Sequence, residues 1–177
     1  MGKKIYLGSD HAGFKLKQKV EAWLHRKNIP YEDLGNRAYD PGDDYPDFAE
    51  IVAKRSVDEK SFGLLICGSA QGMCIAANKI KGARAIVPYT KKETLLARTH
   101  NDANILCLSG WNTSGMKAIS LIKMFLKTPF SGEERHKRRL NKIKNLEEGR
   151  ASLNENKPNP ASHENISNTR YKFRSGK

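Results

Sequence analysis

Four short segments of this chain carry residue types that could move a proton or hold an anion. Asp10 and His11 lie in Gly8-Ser9-Asp10-His11-Ala12-Gly13, directly after the apolar run Ile5-Tyr6-Leu7. Cys67 ends the run Gly63-Leu64-Leu65-Ile66-Cys67 and opens Gly68-Ser69-Ala70-Gln71-Gly72. The third segment is His100-Asn101-Asp102. Carboxylate, imidazole and thiol are acid–base groups, and the amides of a small-residue loop can approach a phosphate or a developing oxyanion closely. Arg135 and Arg139, four residues apart on a helix, share one face and can clamp a phosphate together. Each feature also has a plainer reading. Glycines between strand and helix serve the turn itself, and a Cys ending a buried strand is commonly an inert core thiol. A His at a helix end can be a C-cap partner, and Arg135-His136-Lys137-Arg138-Arg139 suits a solvated face or a nucleic-acid contact. Helix-terminal amides next to Cys67 favour a thiolate there. Cys74 and Cys107 lack that setting and are assigned to the core.

Strands and helices must bring these segments together. After Ile5-Tyr6-Leu7, the residues Leu16, Val20, Trp23 and Leu24 recur at helical spacing to about Asn28. Ile29-Pro30-Tyr31 and Asp33-Leu34-Gly35 read as a second strand and its exit. A polar loop from Asn36 to Pro46 leads to a helix over about Phe48 to Val57. Gly63 to Cys67 is the most continuous apolar run, as a strand buried on both faces should be, and a helix to about Lys79 follows its loop. Arg84 to Val87, a helix near Lys91–Asn101, Ile105 to Leu108, and a helix near Thr113–Leu126 continue the alternation. The pattern predicts an α/β fold, a parallel sheet covered on both faces. Residues 131–150 read as a basic terminal helix with a narrow apolar stripe of Leu140, Ile143 and Leu146. The expected organisation is one domain over 1–150 and a basic, flexible extension over 151–177, where Tyr171 and Phe173 could anchor the end.

The chain has 177 residues, with 20 Lys+Arg against 13 Asp+Glu up to residue 130 and 12 against 6 thereafter. So basic a balance suits either nucleic acid or a phosphorylated metabolite. No run approaches the roughly 20 apolar residues of a membrane span, so no membrane partner is expected. The start, Met1-Gly2-Lys3-Lys4-Ile5, lacks a signal-peptide pattern and leads into a strand, which disfavours myristoylation. Three cysteines without disulfide or zinc spacing are expected as reduced thiols in a cytoplasmic protein.

Taken together, Gly8 to Phe14, Asp44-Tyr45-Pro46, Ile66 to Gly72, Ile75-Ala76-Ala77-Asn78-Lys79 and His100 to Asn104 resemble the B-type ribose-5-phosphate isomerases and their galactose-6-phosphate isomerase relatives. The likeness spans about residues 3–147. It implies a Rossmann-like three-layer sandwich, chemistry without metal or other cofactor, and a homodimer, with a tetramer also open, whose active sites lie at the subunit interface. By this resemblance Cys67 is the base that removes the proton alpha to the carbonyl, and Ser69 moves a proton between the oxygens. Amides of Gly68 through Gly72, with Asn101, stabilise the enediolate, while Asp10 and His100 assist ring opening. His11, Arg135 and Arg139 bind the phosphate, and Tyr45 lines the pocket.

The sequence departs from the family pattern at several positions. Met73 stands where another branch carries a glutamate base, so the base assignment rests on Cys67. Trp111 stands where members commonly carry a phosphate-binding Arg. The loop Ser69-Ala70-Gln71-Gly72 replaces a common Thr-Gly with a further Gly, and the basic extension lies outside the likeness. The expected function is aldose–ketose isomerisation of ribose 5-phosphate and ribulose 5-phosphate, in carbohydrate metabolism and the pentose phosphate pathway. Trp111 keeps a second option open, another sugar phosphate of four to six carbons. A different class, a non-catalytic nucleic-acid-binding protein using the basic C-terminal region, is the weaker expectation. A dinucleotide-dependent oxidoreductase is disfavoured, because Gly68–Gly72 lacks the G-x-G-x-x-G spacing.

Overall fold

Each apolar run of the sequence becomes a strand, and all neighbouring pairs run parallel. The computed structural model describes residues 4–150; the expected extension over 151–177, with Tyr171 and Phe173, lies outside the described residues. The strands are β1 (Ile5–Ser9), β2 (Tyr31–Asp33), β3 (Phe62–Cys67), β4 (Ala85–Ile86) and β5 (Ile105–Ser109). They lie in the order β2-β1-β3-β5-β4. The helices are α1 (Phe14–Arg26), α2 (Tyr45–Asp58), α3 (Gln71–Ala77), α4 (Lys91–Asn101), α5 (Gly115–Lys127) and α6 (Glu134–Glu147). This is the Rossmann-like α/β sandwich that the alternation implied.

Alternate side chains of each central strand point to opposite faces and build two cores. Ile5, Leu7, Leu64, Ile66, Leu106 and Leu108 pack with Leu16, Val20 and Trp23 of α1 and with Leu121, Ile122 and Phe125 of α5. Tyr6, Leu65, Cys67, Ile105 and Cys107 face the other way, against Ala49, Val52 and Ala53 of α2 and Met73 and Ala77 of α3. Burial on both sides explains why β3 and β5 read as continuous apolar runs. Cys107 is fully buried in this second core and Cys74 packs against it, consistent with structural roles for both.

Element boundaries moved where local chemistry overrides periodicity. Helix α2 begins at Tyr45 rather than near Phe48, because Pro46 falls in its first turn, where a missing N–H costs nothing. Thr90 and Glu93 form a reciprocal capping box at the start of α4. That helix ends at Asp102, which adopts a left-handed conformation with φ 43°. The Asp102 carboxylate accepts from Arg84 at 2.9 Å and from Arg98 at 2.8 Å, which holds the turn into β5.

The loop after β1 is pressed onto the end of β3. A Cβ on Gly13 would lie 2.0 Å from the carbonyl oxygen of Ile66, a backbone atom that cannot step aside. Gly13→Ala is therefore expected to destabilise the protein by about 3 kcal/mol, read as a lowered midpoint in thermal denaturation. An unchanged midpoint would show that this crossing is not tight.

Candidate active site

Helix α1 leaves β1 toward one face of the sheet, whereas α3 leaves the adjacent β3 toward the other. Their two loops therefore diverge at the C-terminal edge, the switch point at which open α/β sheets form their ligand crevice. The loop after β5 closes the third side. Gly110 N–H donates to Cys67 O at 2.8 Å, and the Ser109 hydroxyl donates to Gly68 O at 2.7 Å. Asp10, His11, Tyr45, Cys67, Gly68, Ser69 and Gly72 all come together here.

Cys67 is 4% exposed, its side chain turned toward α3. Burial pushes its thiol pKa above the ordinary 9.0, and the negative charge of Asp10 adds to that; the N–H groups of Met73 and Ala70, directed at the sulfur, pull the other way. The amides expected from the sequence are thus present, but desolvation outweighs them. Ala70 sits at φ 72°, in the left-handed region, which explains why a glycine is usual at this turn in the resembled family. The Ser69 hydroxyl is exposed and accepts from Gln71 N–H at 3.3 Å.

Two aromatic walls flank this floor. A Cβ on Gly68 would lie 2.6 Å from Trp111 Cζ2, and one on Gly72 would lie 2.7 Å from Tyr45 Cζ. The glycines let both rings rest on the loop. Trp111 is 72% exposed and offers a flat apolar surface where the resembled family carries a cation.

Asp10 is buried, which raises its carboxyl pKa although Gly13 N–H donates to its Oδ1 at 2.9 Å. Sequence reasoning missed the residue behind His11. Asp43 Oδ1 lies 2.6 Å from His11 Nδ1 and accepts from the His11 N–H at 3.1 Å. This hydrogen bond raises the His11 pKa and favours the imidazolium, the form that can attract an anion. The signal was one position before the quoted Asp44-Tyr45-Pro46, in a loop whose path the sequence does not reveal.

The remaining candidates lie elsewhere in the chain. Helix α4 runs antiparallel to the strands and delivers His100 and Asn101 to the N-terminal edge, just before β5 begins. Gly63 N–H donates to Asn104 O there at 2.9 Å. From Gly63 to Cys67 the strand rises about 13 Å, so His100 and Asn101 lie at the far end of the sheet from Cys67. Helix α6 packs at that same end, where the His100 and His136 rings are 4.3 Å apart between centroids. His136, a second residue missed in the sequence, is 1% exposed and lies 2.8 Å from the Ser131 hydroxyl. Burial, then the neighbouring His100, lowers its pKa. Arg135 and Arg139 are exposed on the same helix, Arg135 pairing with Glu133 at 2.7 Å. One chain thus carries the sulfur and the amides directed at it at one edge, and the paired histidines with Arg135 and Arg139 at the other.

The sequence matches the Ribose/Galactose Isomerase family over residues 5–143. The chain belongs to that family. Ribose-5-phosphate isomerase B of Mycobacterium tuberculosis is 39% identical over 140 residues, covering 78% of this chain and 86% of that protein. The structure of Mycoplasma genitalium ribose-5-phosphate isomerase B with bound ribulose-5-phosphate superposes with a TM-score of 0.78 at 41% identity, covering 82% of this chain and 96% of that one. Type B ribose 5-phosphate isomerase of Trypanosoma cruzi gives a TM-score of 0.80 at 38% identity, with 85% and 100% covered. This isomerase family is the one whose motifs the sequence resembled, and its fold is the sandwich described above. Among the described residues no helix is long and apolar enough to cross a membrane.

Proposed function

We propose that this protein is an aldose–ketose isomerase that interconverts ribose 5-phosphate and ribulose 5-phosphate through an enediolate. The observation that carries this reading is the Cys67 sulfur, set at the switch point of the sheet with main-chain N–H groups directed at it, in a chain of this family. With the open-chain aldose bound, the Cys67 thiolate takes the proton from C2. Those amides of Gly68 through Gly72 that are not directed at the sulfur or at the Ser69 hydroxyl stabilise the charge that moves onto oxygen, each such donor contributing about 3 kcal/mol. The Ser69 hydroxyl carries a proton between O1 and O2, and the thiol returns its proton to C1. Asp10 and His100 open the ring, Asn101 adds an oxyanion donor, and Tyr45 lines the pocket. His11, Arg135 and Arg139 hold the phosphate.

In this reading a homodimer is obligatory, because His100, Asn101, Arg135 and Arg139 reach the Cys67 crevice only from a second copy. Residues 1–150 form the isomerase domain and 151–177 a separate basic extension, and the enzyme works in the cytoplasm. Ribose 5-phosphate should be converted to ribulose 5-phosphate with a turnover on the order of 10 per second. Failure to convert any aldose phosphate would overturn the class. Trp111 over Gly68 supports a second substrate reading, and faster turnover of another four- to six-carbon aldose phosphate would establish it.

The pH dependence follows from the thiol. Because burial and Asp10 raise the Cys67 pKa above 9.0, less thiolate is present at neutral pH than for an ordinary cysteine, and kcat/KM should rise with pH through the alkaline range. Asp10→Asn removes a negative charge, so the rising limb should move to lower pH even as the absolute rate falls. A limb that stays in place would show that the two groups are not coupled.

A further inference from the structure

A cavity of about 940 Å³ opens near the N-terminal edge of the sheet, remote from Cys67, within the size range of small-molecule sites. Its apolar surface comes from Ile5 and Phe62 at the starts of β1 and β3, Trp23 of α1, and Leu126 and Phe130 around the end of α5. Lys27, Arg98, Lys123 and Lys127 also line it, and no Asp or Glu does. Arg98 is already committed. It donates to Thr128 O at 3.1 Å and Ala103 O at 2.6 Å, and its guanidinium lies 5.0 Å from the Phe62 ring centroid. Lys27, Lys123 and Lys127 have no carboxylate partner among the described residues, and Lys123 stands 5.9 Å from the Trp23 ring centroid.

An apolar cavity bordered by ammonium groups that nothing neutralises is complementary to a molecule with an apolar body and a single anionic head. The chain's own termini do not match it. Residues 151–177 hold 5 Lys+Arg against 2 Asp+Glu, and Lys3 and Lys4 precede β1, so either end would add positive charge. We propose that this cavity binds a small amphipathic carboxylate, its body against Trp23, Phe62 and Phe130 and its head on the lysines. The cavity wall Thr128 to Phe130 continues into Ser131, whose N–H donates to Thr99 O at 3.0 Å and whose hydroxyl meets His136. A ligand here therefore touches the segment that anchors the His100–His136 pair.

The test titrates the full-length protein with decanoate by calorimetry, with decanol and butyrate as the probes lacking the head or the body. Hydrogen exchange then locates the ligand. Decanoate should bind saturably, more tightly than decanol or butyrate, and should protect residues 123–131. The double variant Lys123→Gln, Lys127→Gln should bind it about tenfold more weakly while keeping wild-type isomerase activity without ligand. The proposal is overturned if decanol binds as well as decanoate, if the double variant binds like wild type, or if protection falls on 67–72. It is equally overturned if decanoate does not bind and Phe130→Asp lowers the oligomeric state, since a second copy would then cover the cavity.

Discussion

Cys67→Ala is expected to lower kcat by about 10³-fold with little change in KM. The sulfur is buried in the crevice floor, with Ala70 and Met73 N–H groups directed at it and no carboxylate base at position 73 to take over. The substitution removes one buried atom, so its cost in stability is about 1 kcal/mol and the protein remains folded. Thermal denaturation beside steady-state kinetics separates the two effects. Phosphate affinity should survive, because His11, Arg135 and Arg139, the groups proposed to hold the phosphate, are untouched. A variant that keeps full turnover would remove Cys67 from the mechanism.

Mixing two inactive variants is expected to restore activity. Cys67→Ala loses the sulfur half-site, and Arg135→Ala with Arg139→Ala loses the cationic half-site at the opposite edge. If each active site takes one half-site from each copy, a mixed dimer contains one site with both lesions and one with none. Random re-pairing of equal amounts should therefore recover about a quarter of the wild-type specific activity. Co-purification through two different affinity tags would raise that to about half in the isolated mixed dimer. No recovery above the parents would show that all these residues act within one chain, against the separation the topology imposes.

Much of this arrangement was legible in the sequence because it rests on local rules. The alternation of apolar runs with helical spacing fixed strands and helices, since burial on both faces of a central strand leaves no room for polar alternation. Small residues after β1 and β3 marked the two loops, since only small side chains let the Gly13 and Gly68 backbones approach Ile66 and Trp111 so closely. Asp43 behind His11 and His136 behind His100 were missed. Each pairs residues far apart in the chain, and nothing local to either partner announces the contact.

By itself, then, the sequence determined the α/β class, the two loops and the family, because these depend on residue types, short-range spacing and motif order. Tertiary structure alone decided that the sulfur's pKa rises rather than falls, since desolvation depends on which atoms exclude water around Cys67. It alone decided that Cys67 and His100 lie at opposite edges of one sheet. That follows from the direction in which α4 returns, a property of how the chain is wound.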